Sequence, residues 1–269
     1  MPELPEVETI RRQLKKVLPL NVKKVFTSSK KSSILINKEF SPCGHKIIKI
    51  NRKGKMLCFV FDKENYILSS LGMSGAWIVS NNKITEKHVH IQLECQGKEK
   101  TYLAYKDPRR FGKMHFVKKE HALSILNRLG MDVTSSRFNA RYLLHLFKKH
   151  PNALIKPFLL QQKYFSGIGN YMACEICARA KILPQRRLKS LNPQDASLLK
   201  KACDSVLQKS IQRKGLTFSG GYRDTTNSPG EGLQDMVVFY QKSCGLCQGP
   251  VSKTILQGRG TYHCPKCQR

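Results

Sequence analysis

The chain has 269 residues, 40% of them hydrophobic, which is enough for two domains, and 48 Lys and Arg against 18 Asp and Glu give it a formal net charge of +30. No run approaches the ~18 apolar residues of a membrane-spanning helix and the start is acidic, unlike a signal peptide, so we expect a soluble intracellular protein without a membrane partner. The charge favours nucleic acid as the partner, because basic side chains displace the counterions of phosphates; a charge that serves only solubility, or an anionic membrane surface, is the alternative.

The first predicted element is a helix over residues 4–18. Its apolar face comprises Val7, Ile10, Leu14 and Val17. We expect Met1 to be removed, which leaves Pro2 with a secondary amine that titrates near ~7.7–8.0 and suits Schiff-base chemistry. Glu3 and Glu6, three residues apart, project together beside that amine. Alternatively, Pro2 only starts the helix and the glutamates only complement the helix dipole.

After the helix, short alternating or apolar runs predict a domain made mostly of strands, arranged as a sandwich or a barrel. The predicted strands are 46–50, 56–61, 66–70, 88–95, 101–105 and 113–117. Polar turn segments such as 62–65 and 96–98 separate these runs. The pattern therefore predicts an N-terminal β domain that carries the first helix.

Near residue 131 the pattern changes, and residues 120–212 predict helices. Two apolar stripes carry this prediction, one of Tyr142, Leu143, Leu146 and Phe147 and one of Leu198, Leu199, Ala202 and Val206. Within this part, Gly167 and Gly169 permit a tight turn and Asn170 suits a helix cap. Such a helix start is either a packing turn or a phosphate site, and the basic composition favours phosphate. Residues 220–232, rich in Gly, Ser, Thr, Asn and Pro, predict a mobile loop.

Four of the ten cysteines form two Cys-x2-Cys pairs near the C-terminus, namely Cys244, Cys247, Cys264 and Cys267. This spacing predicts one structural zinc ion, because four thiolates complete its tetrahedron and leave no position for a reactive water. Four unligated thiols or two disulfides are the alternative. Cys174 and Cys177 share the spacing but lie in a helical pattern, and we expect them to be buried core thiols.

Taken together, the motifs occur in an order that resembles the formamidopyrimidine-DNA glycosylase and endonuclease VIII family from end to end. The motifs are Pro2-Glu3-Leu4-Pro5-Glu6, Arg52-Lys53-Gly54-Lys55, Leu71-Gly72-Met73-Ser74-Gly75, Lys87-His88-Val89-His90, Asp107-Pro108-Arg109-Arg110-Phe111-Gly112, Ile155-Lys156-Pro157, Gly167-Ile168-Gly169-Asn170 and residues 258–268.

The resemblance implies a multidomain α+β fold: an N-terminal β-sandwich with an N-terminal helix, a helix-two-turn-helix domain and a C-terminal zinc β-ribbon, with DNA in a basic cleft. On this basis we expect a catalytic domain over 1–130, a DNA-binding domain over 131–218, a flexible loop and connection over 219–239 and the ribbon over 240–269. The implied partner is double-stranded DNA that contains oxidised bases or abasic sites, and we expect a monomer.

The resemblance also implies the chemistry. Enzymes of this family flip the damaged nucleotide out of the duplex, and the Pro2 nitrogen would attack C1′ of its sugar. Glu3 would be the general acid for base departure and Glu6 would position the N-terminal helix. Lys55 would contact phosphate and serve the elimination chemistry, and Arg259 would assist the second step of β,δ-elimination.

Further residues are assigned by the same motifs. The implied DNA contacts are His88, Lys156, Asn170 and Arg259. Met73, Arg109 and Phe111 would fill the void that the flipped base leaves, as an apolar filler, a donor to the orphaned base and a wedge. From spacing alone, Met73 and Phe111 would instead be core residues, and His88 would be a packed or solvated strand residue.

The substrate stays open between two branches of the family. Leu4 and the complete set of void-filling residues favour oxidised purines such as 8-oxoguanine and formamidopyrimidines. The segment Asn170-Tyr171-Met172 resembles the endonuclease VIII branch, which would make oxidised pyrimidines the substrate. Two further hypotheses stay open: a lyase that acts only on abasic sites, and a non-catalytic zinc-ribbon DNA-binding protein.

Overall fold

A computed structural model of the protein describes residues 2–30, 33–218 and 221–269, and these residues form two compact units. Unit 1 comprises residues 1–128 and 213–231, and unit 2 comprises residues 129–212 and 232–269. Unit 1 is therefore discontinuous in sequence, because a segment that follows the helices of unit 2 packs with the N-terminal part. The four-part division expected from the motifs stays a prediction.

Within the described residues, unit 1 contains two α-helices and nine strands. They are α1 Leu4–Lys15, β1 Leu20–Thr27, β2 Leu35–Lys38, β3 Lys46–Lys53, β4 Met56–Phe61, β5 Asn65–Ser70, β6 Ala76–Ser80, β7 Val89–Gln96, β8 Lys100–Lys106, β9 Lys113–Lys118 and α2 Lys119–Asn127. The strands form one hydrogen-bonded sheet in the order β2-β9-β5-β4-β3-β1-β7-β8-β6. Only the β2–β9 pair is parallel among the strand pairs of this sheet that the structure describes. All six strands that the sequence predicts are confirmed.

The core of unit 1 lies between the sheet and α1. The buried rings of Phe59, Trp77 and Tyr105 pack at tilted angles, with centroids 4.8 and 5.5 Å apart. Helix α1 adds Val7, Ile10 and Leu14 to this core, as its apolar spacing predicts, but it ends at Lys15, so the predicted fourth residue, Val17, lies beyond it and is only partly buried. Since burial of each such side chain stabilises by roughly 1.5–3 kcal/mol, the core holds the start of α1 in a fixed place.

Unit 2, over the part of the chain that is described, contains four α-helices, four short strands and the cysteine-rich ribbon. They are β10 Met131–Asp132, α3 Ala140–Lys149, α4 Ile155–Leu159, β11 Phe165–Ser166, α5 Asn170–Arg179, α6 Pro193–Gln212, β12 Ser252–Leu256 and β13 Arg259–His263. Strands β12 and β13 form an antiparallel hairpin. The predicted helical character of this part is confirmed.

Burial in unit 2 follows the predicted stripes with one exception. Leu143 and Leu146 on α3 and Leu199 on α6 are buried. Leu198 is 39% exposed, so its assignment to the α6 stripe was wrong: the buried face of α6 runs through Ala196, Leu199, Ala202, Cys203 and Val206, and Leu198 lies at its edge. Cys174 and Cys177 on α5 are fully buried, as expected for core thiols.

Candidate functional site

The start of α1 is a buried, acidic environment in unit 1. Pro2 is buried next to Glu3, which is the N-cap residue of α1 and only 3% exposed. The backbone N–H of Glu3 donates to Glu6 Oε2 at 2.6 Å, and the N–H of Leu216 donates to Glu6 Oε1 at 2.7 Å. Both Glu6 oxygens therefore accept backbone hydrogen bonds, and Glu6 joins the N-terminus to the segment at 216.

Gly215 explains how that segment approaches so closely. It has φ of +87°, and a Cβ at this position would overlap the Glu6 side chain. Only glycine meets both conditions without strain. Gly215 and Leu216 therefore lie directly against the Glu6 side chain.

A second acidic residue on α1, Glu8, has no role in the motif-based prediction. Arg11 and Arg12 donate to it at 2.8–2.9 Å, and Arg52 Nε donates to Glu8 Oε2 at 3.2 Å. Although burial raises the pKa of Glu8, the hydrogen bonds from Arg11 and Arg12, with the charges of Arg11 and Arg52, lower it to about 2. The carboxylate is therefore charged at neutral pH and connects α1 to β3.

Asp107 connects two loops of unit 1 through hydrogen bonds. These loops carry the predicted void-filling residues. The fully buried Asp107 carboxylate accepts the Ser74 hydroxyl at 2.5 Å and the Gly112 N–H at 2.8 Å. The N–H of Arg109 donates to Ser74 Oγ at 3.2 Å. Burial, followed by the neighbouring Asp107 charge, raises the pKa of Tyr105, which donates to the same carboxylate. Loops 71–75 and 107–112 thus form one block.

The block presents its apolar side chains outward. Met73 is 40% exposed and Phe111 is 51% exposed, so neither is a core residue. The Arg109 guanidinium lies over the Phe111 ring, 4.7 Å from its centroid. Exposed apolar residues on loops that a buried carboxylate holds in place suit contact with a partner surface. The void-filling role itself stays a prediction.

We expect Asp107→Asn to destabilise the protein by roughly 1–3 kcal/mol, because the new amide group cannot accept all of the hydrogen bonds that the buried carboxylate receives. Urea denaturation measures this change. Asp204→Asn is the matched control, since Asp204 pairs with Lys200 and its side chain is 55% exposed. Equal free energies of unfolding for the two variants would contradict the proposal that Asp107 holds the two loops together.

His88 and His90 have different environments. His88 is exposed, lies just before β7 with φ of +71°, and its carbonyl accepts the Asp107 N–H at 3.0 Å. Loss of hydration and the charges of Lys87 and other neighbours lower the pKa of His88. His90 is buried, contacting Ser28 Oγ and the Asp107 carbonyl. The expectation that His88 lies within the strand was wrong; the buried strand histidine is His90.

Unit 2 brings Lys156, Asn170 and the ribbon together. Lys156 is fully buried, and its Nζ donates to Asn170 Oδ1 at 2.7 Å. Asn170 Nδ2 donates to the Gly260 carbonyl at 3.0 Å. Gly169, not Asn170, is the N-cap of α5, so the predicted capping role of Asn170 was wrong. Its side chain instead links α5 to β13, next to the exposed Arg259.

The four ribbon cysteines form one cluster. Their sulfur atoms all lie within 4.8 Å of one another, with Cys244 Sγ 3.7 Å from Cys267 Sγ and Cys247 Sγ 3.5 Å from Cys264 Sγ. A tetrahedral zinc with Zn–S bonds of about 2.3 Å separates its sulfurs by about 3.8 Å. The cluster therefore has the donor set and the size for a four-thiolate metal site.

A pocket of about 210 Å³ lies in unit 1 beside loop 71–75. Ser74 and Gly75 line one side, and Tyr222, Arg223 and Asn227 line another. The segment that supplies the second side is anchored to α1, because Gln13 Nε2 donates to Asp224 Oδ2 at 2.7 Å. Residues 219 and 220 of the predicted mobile loop lie outside the described residues, and the loop's mobility stays a prediction.

Comparisons with known proteins cover the whole chain. Residues 1–114 match the model of the formamidopyrimidine-DNA glycosylase N-terminal domain, and residues 129–220 match its helix-two-turn-helix domain, as the motifs predict. The formamidopyrimidine-DNA glycosylase of Syntrophomonas wolfei is 34% identical over 276 residues, with 100% of both chains covered. Among the described residues, no helix is long and apolar enough to cross a membrane.

Solved structures show the same architecture. The MutM (Fpg) protein of Thermus thermophilus superposes with a TM-score of 0.88 at 31% identity, covering 99% of this chain and 98% of that one. The Lactococcus lactis Fpg in complex with DNA that contains an abasic site gives a TM-score of 0.87 at 27% identity, with both chains fully covered. The similarity therefore extends over both units and the ribbon.

Proposed function

The chain belongs to the formamidopyrimidine-DNA glycosylase family, and we propose that its DNA glycosylase and abasic-site lyase chemistry uses the Pro2 nitrogen as nucleophile. The observation that carries this proposal is the position of Pro2, buried beside Glu3 and Glu6 at the start of a helix that the core holds in place. The substrate is double-stranded DNA with oxidised bases or abasic sites. We expect the protein to act as a monomer inside the cell.

In the proposed reaction, the neutral amine of mature Pro2 attacks C1′ of the flipped nucleotide, and the bond between C1′ and the damaged base breaks. Glu3 donates a proton that assists departure of the base. The C1′–O4′ bond then breaks, the proton lost from the amine passes to O4′, and an iminium ion remains between Pro2 and C1′. Its positive charge acidifies the C2′ protons, so elimination breaks the strand on the 3′ side and then on the 5′ side.

Lys55 and Arg259 serve the elimination steps in this proposal. Asn170 and Arg259 also bind DNA phosphates, with His88 as a further contact. Lys156 acts indirectly, because its buried ammonium orients the Asn170 amide and contacts the Gly260 carbonyl at 3.5 Å. The net charge of +30 supports tight, salt-dependent binding of the duplex.

Zinc is the metal we propose for the four-cysteine cluster. Cys244, Cys247, Cys264 and Cys267 would hold it with no open coordination position, which makes it structural. The bound ion would supply the folding energy of a ribbon that has few apolar residues of its own. Removing it should therefore affect Arg259 through the fold of the ribbon.

Oxidised purines are the substrates we propose first, and oxidised pyrimidines second. The complete set of Met73, Arg109 and Phe111 supports the purine branch, whereas Tyr171 after Asn170 resembles the other branch. The pocket of about 210 Å³ beside Ser74 is our candidate for the flipped base, because it is concave and lined by polar groups.

Product analysis tests both the reaction and the substrate. We expect release of intact 8-oxoguanine from a duplex at least about tenfold faster than release of thymine glycol, a ratio within reach of a few well-placed contacts. Liquid chromatography of freed bases, alongside a gel of strand breaks, measures both. Faster thymine glycol release would favour the pyrimidine branch. Cleavage of abasic DNA without base release would indicate a lyase alone, and binding without cleavage a non-catalytic ribbon protein.

A further inference from the structure

We propose that Glu8 and Arg52 are positioning residues that fix the turn carrying Lys55 relative to α1, and hence relative to Pro2. This inference rests on the proposed function, because it concerns the elimination that Lys55 is proposed to serve. Pro2 and Lys55 come from different elements of unit 1, the N-terminus and the β3–β4 turn. Because Pro2 would hold the sugar while Lys55 serves the elimination, the reaction requires a defined separation between the Pro2 nitrogen and the Lys55 ammonium group.

The connection consists of two hydrogen bonds from one guanidinium group. Arg52 Nε donates to Glu8 Oε2 at 3.2 Å, and Arg52 Nη1 donates to the Gly54 carbonyl at 2.9 Å. The Arg52 side chain is 7% exposed and that of Glu8 is 10% exposed. A charge pair so shielded from water is weakly screened and holds its geometry better than a surface pair.

The turn itself is short and leaves little slack. Lys53 pairs with Met56 across the β3–β4 hairpin, so Gly54 and Lys55 form a two-residue loop. Gly54 is buried with φ of +56°, a conformation that glycine adopts without strain. Because the Gly54 carbonyl belongs to the peptide unit that leads into Lys55, fixing that oxygen fixes the backbone of Lys55.

The remaining partners of Glu8 make the anchor rigid at the helix side. Arg11 binds Glu8 through Nε and Nη2, and Arg12 binds it through Nε. Both arginines lie on α1, within four residues of Glu8, and therefore hold its carboxylate against the helix. Arg52 lies on β3 and is the partner that connects Glu8 to the turn. The network thus transmits the position of α1 to Lys55.

Arg52→Lys is the sharpest variant, because it keeps the charge and removes the forked geometry that reaches two acceptors. Glu8→Gln is the second variant and removes the charge of the anchor. We expect elimination from an abasic duplex to slow by about 10- to 100-fold, the range that a displacement of about 1 Å can cause. Schiff-base formation should persist, so the fraction of protein trapped on DNA by borohydride should rise as the intermediate accumulates.

A matched control is Arg187→Lys, because Arg187 is exposed, lies outside the Glu8–Arg52 network and donates to the Asn152 carbonyl at 3.0 Å. Elimination by this variant should stay within about twofold of the parent, as is usual for an exposed side chain whose charge is kept. Thermal denaturation of every variant verifies that it is folded at the assay temperature.

The decisive measurement combines each variant with Lys55→Ala. If Arg52 and Glu8 act through Lys55, their substitution slows elimination little further when Lys55 is absent. Independent, multiplicative losses would overturn the proposal, as would equal slowing of Schiff-base formation and elimination. The proposed function fails in a different way: the parent protein itself would then form no trapped complex.

Discussion

Protein that retains any residue in front of Pro2 is expected to lose Schiff-base formation on abasic DNA by at least about 10³-fold, the order of loss when a covalent nucleophile is removed. The reason is that an acylated proline nitrogen is part of a peptide bond, whose resonance removes its lone pair from reaction. It also cannot form an iminium ion. The Pro2 amine must therefore be terminal.

Borohydride trapping on an abasic duplex measures this loss for a protein with an uncleaved N-terminal tag. The same tag at the C-terminus is the matched control, because it leaves the Pro2 amine free. Gel shifts should show DNA binding by both, since the blocked nitrogen changes one group and leaves the cationic surface. Undiminished strand cleavage by the N-terminally tagged protein would contradict the Pro2 mechanism.

Cys264→Ser is expected to unfold the ribbon and to weaken binding of damaged duplex by about 100-fold or more, if two charge-assisted contacts worth ~1.5–3 kcal/mol each are lost. The proposed metal site makes the fold of the ribbon depend on the bound ion, while β13 supplies Arg259 and the Gly260 carbonyl that binds Asn170. A strong chelator should produce the same loss in the parent protein.

Metal analysis, fluorescence anisotropy with labelled DNA and hydrogen exchange of residues 240–269 measure these effects. Cys43→Ser is the matched control, because Cys43 is an exposed thiol outside the cluster. It should retain metal and affinity. Full affinity of metal-free Cys264→Ser protein would show that the ribbon folds without the ion.

Most elements followed from the sequence because local patterns decide them, although β1, β2 and β6 were not predicted. Short alternating or apolar runs mark the six predicted strands, the spacing of Val7, Ile10 and Leu14 marks α1, and two Cys-x2-Cys pairs mark the ribbon. Errors occurred where an individual side chain depends on distant partners. The Asn170 side chain does not cap the helix and instead donates a hydrogen bond to the carbonyl of Gly260, 90 residues away. Leu198 faces solvent although its neighbour Leu199 is buried.

The sequence by itself determined the family and the four clustered cysteines, and it predicted the roles of the motif residues, since those depend on composition and order along the chain. Only the tertiary structure decided how these residues are held. In the sequence, nothing distinguishes Glu8 from the other 17 acidic residues, whereas in the structure Arg52, 44 positions away, donates to it. Likewise, the sequence gives Asp107 only as part of a motif, whereas in the structure Ser74 and Gly112 donate to its carboxylate. Such partners are brought together by packing of the sheet and α1, and spacing along the chain carries no trace of them.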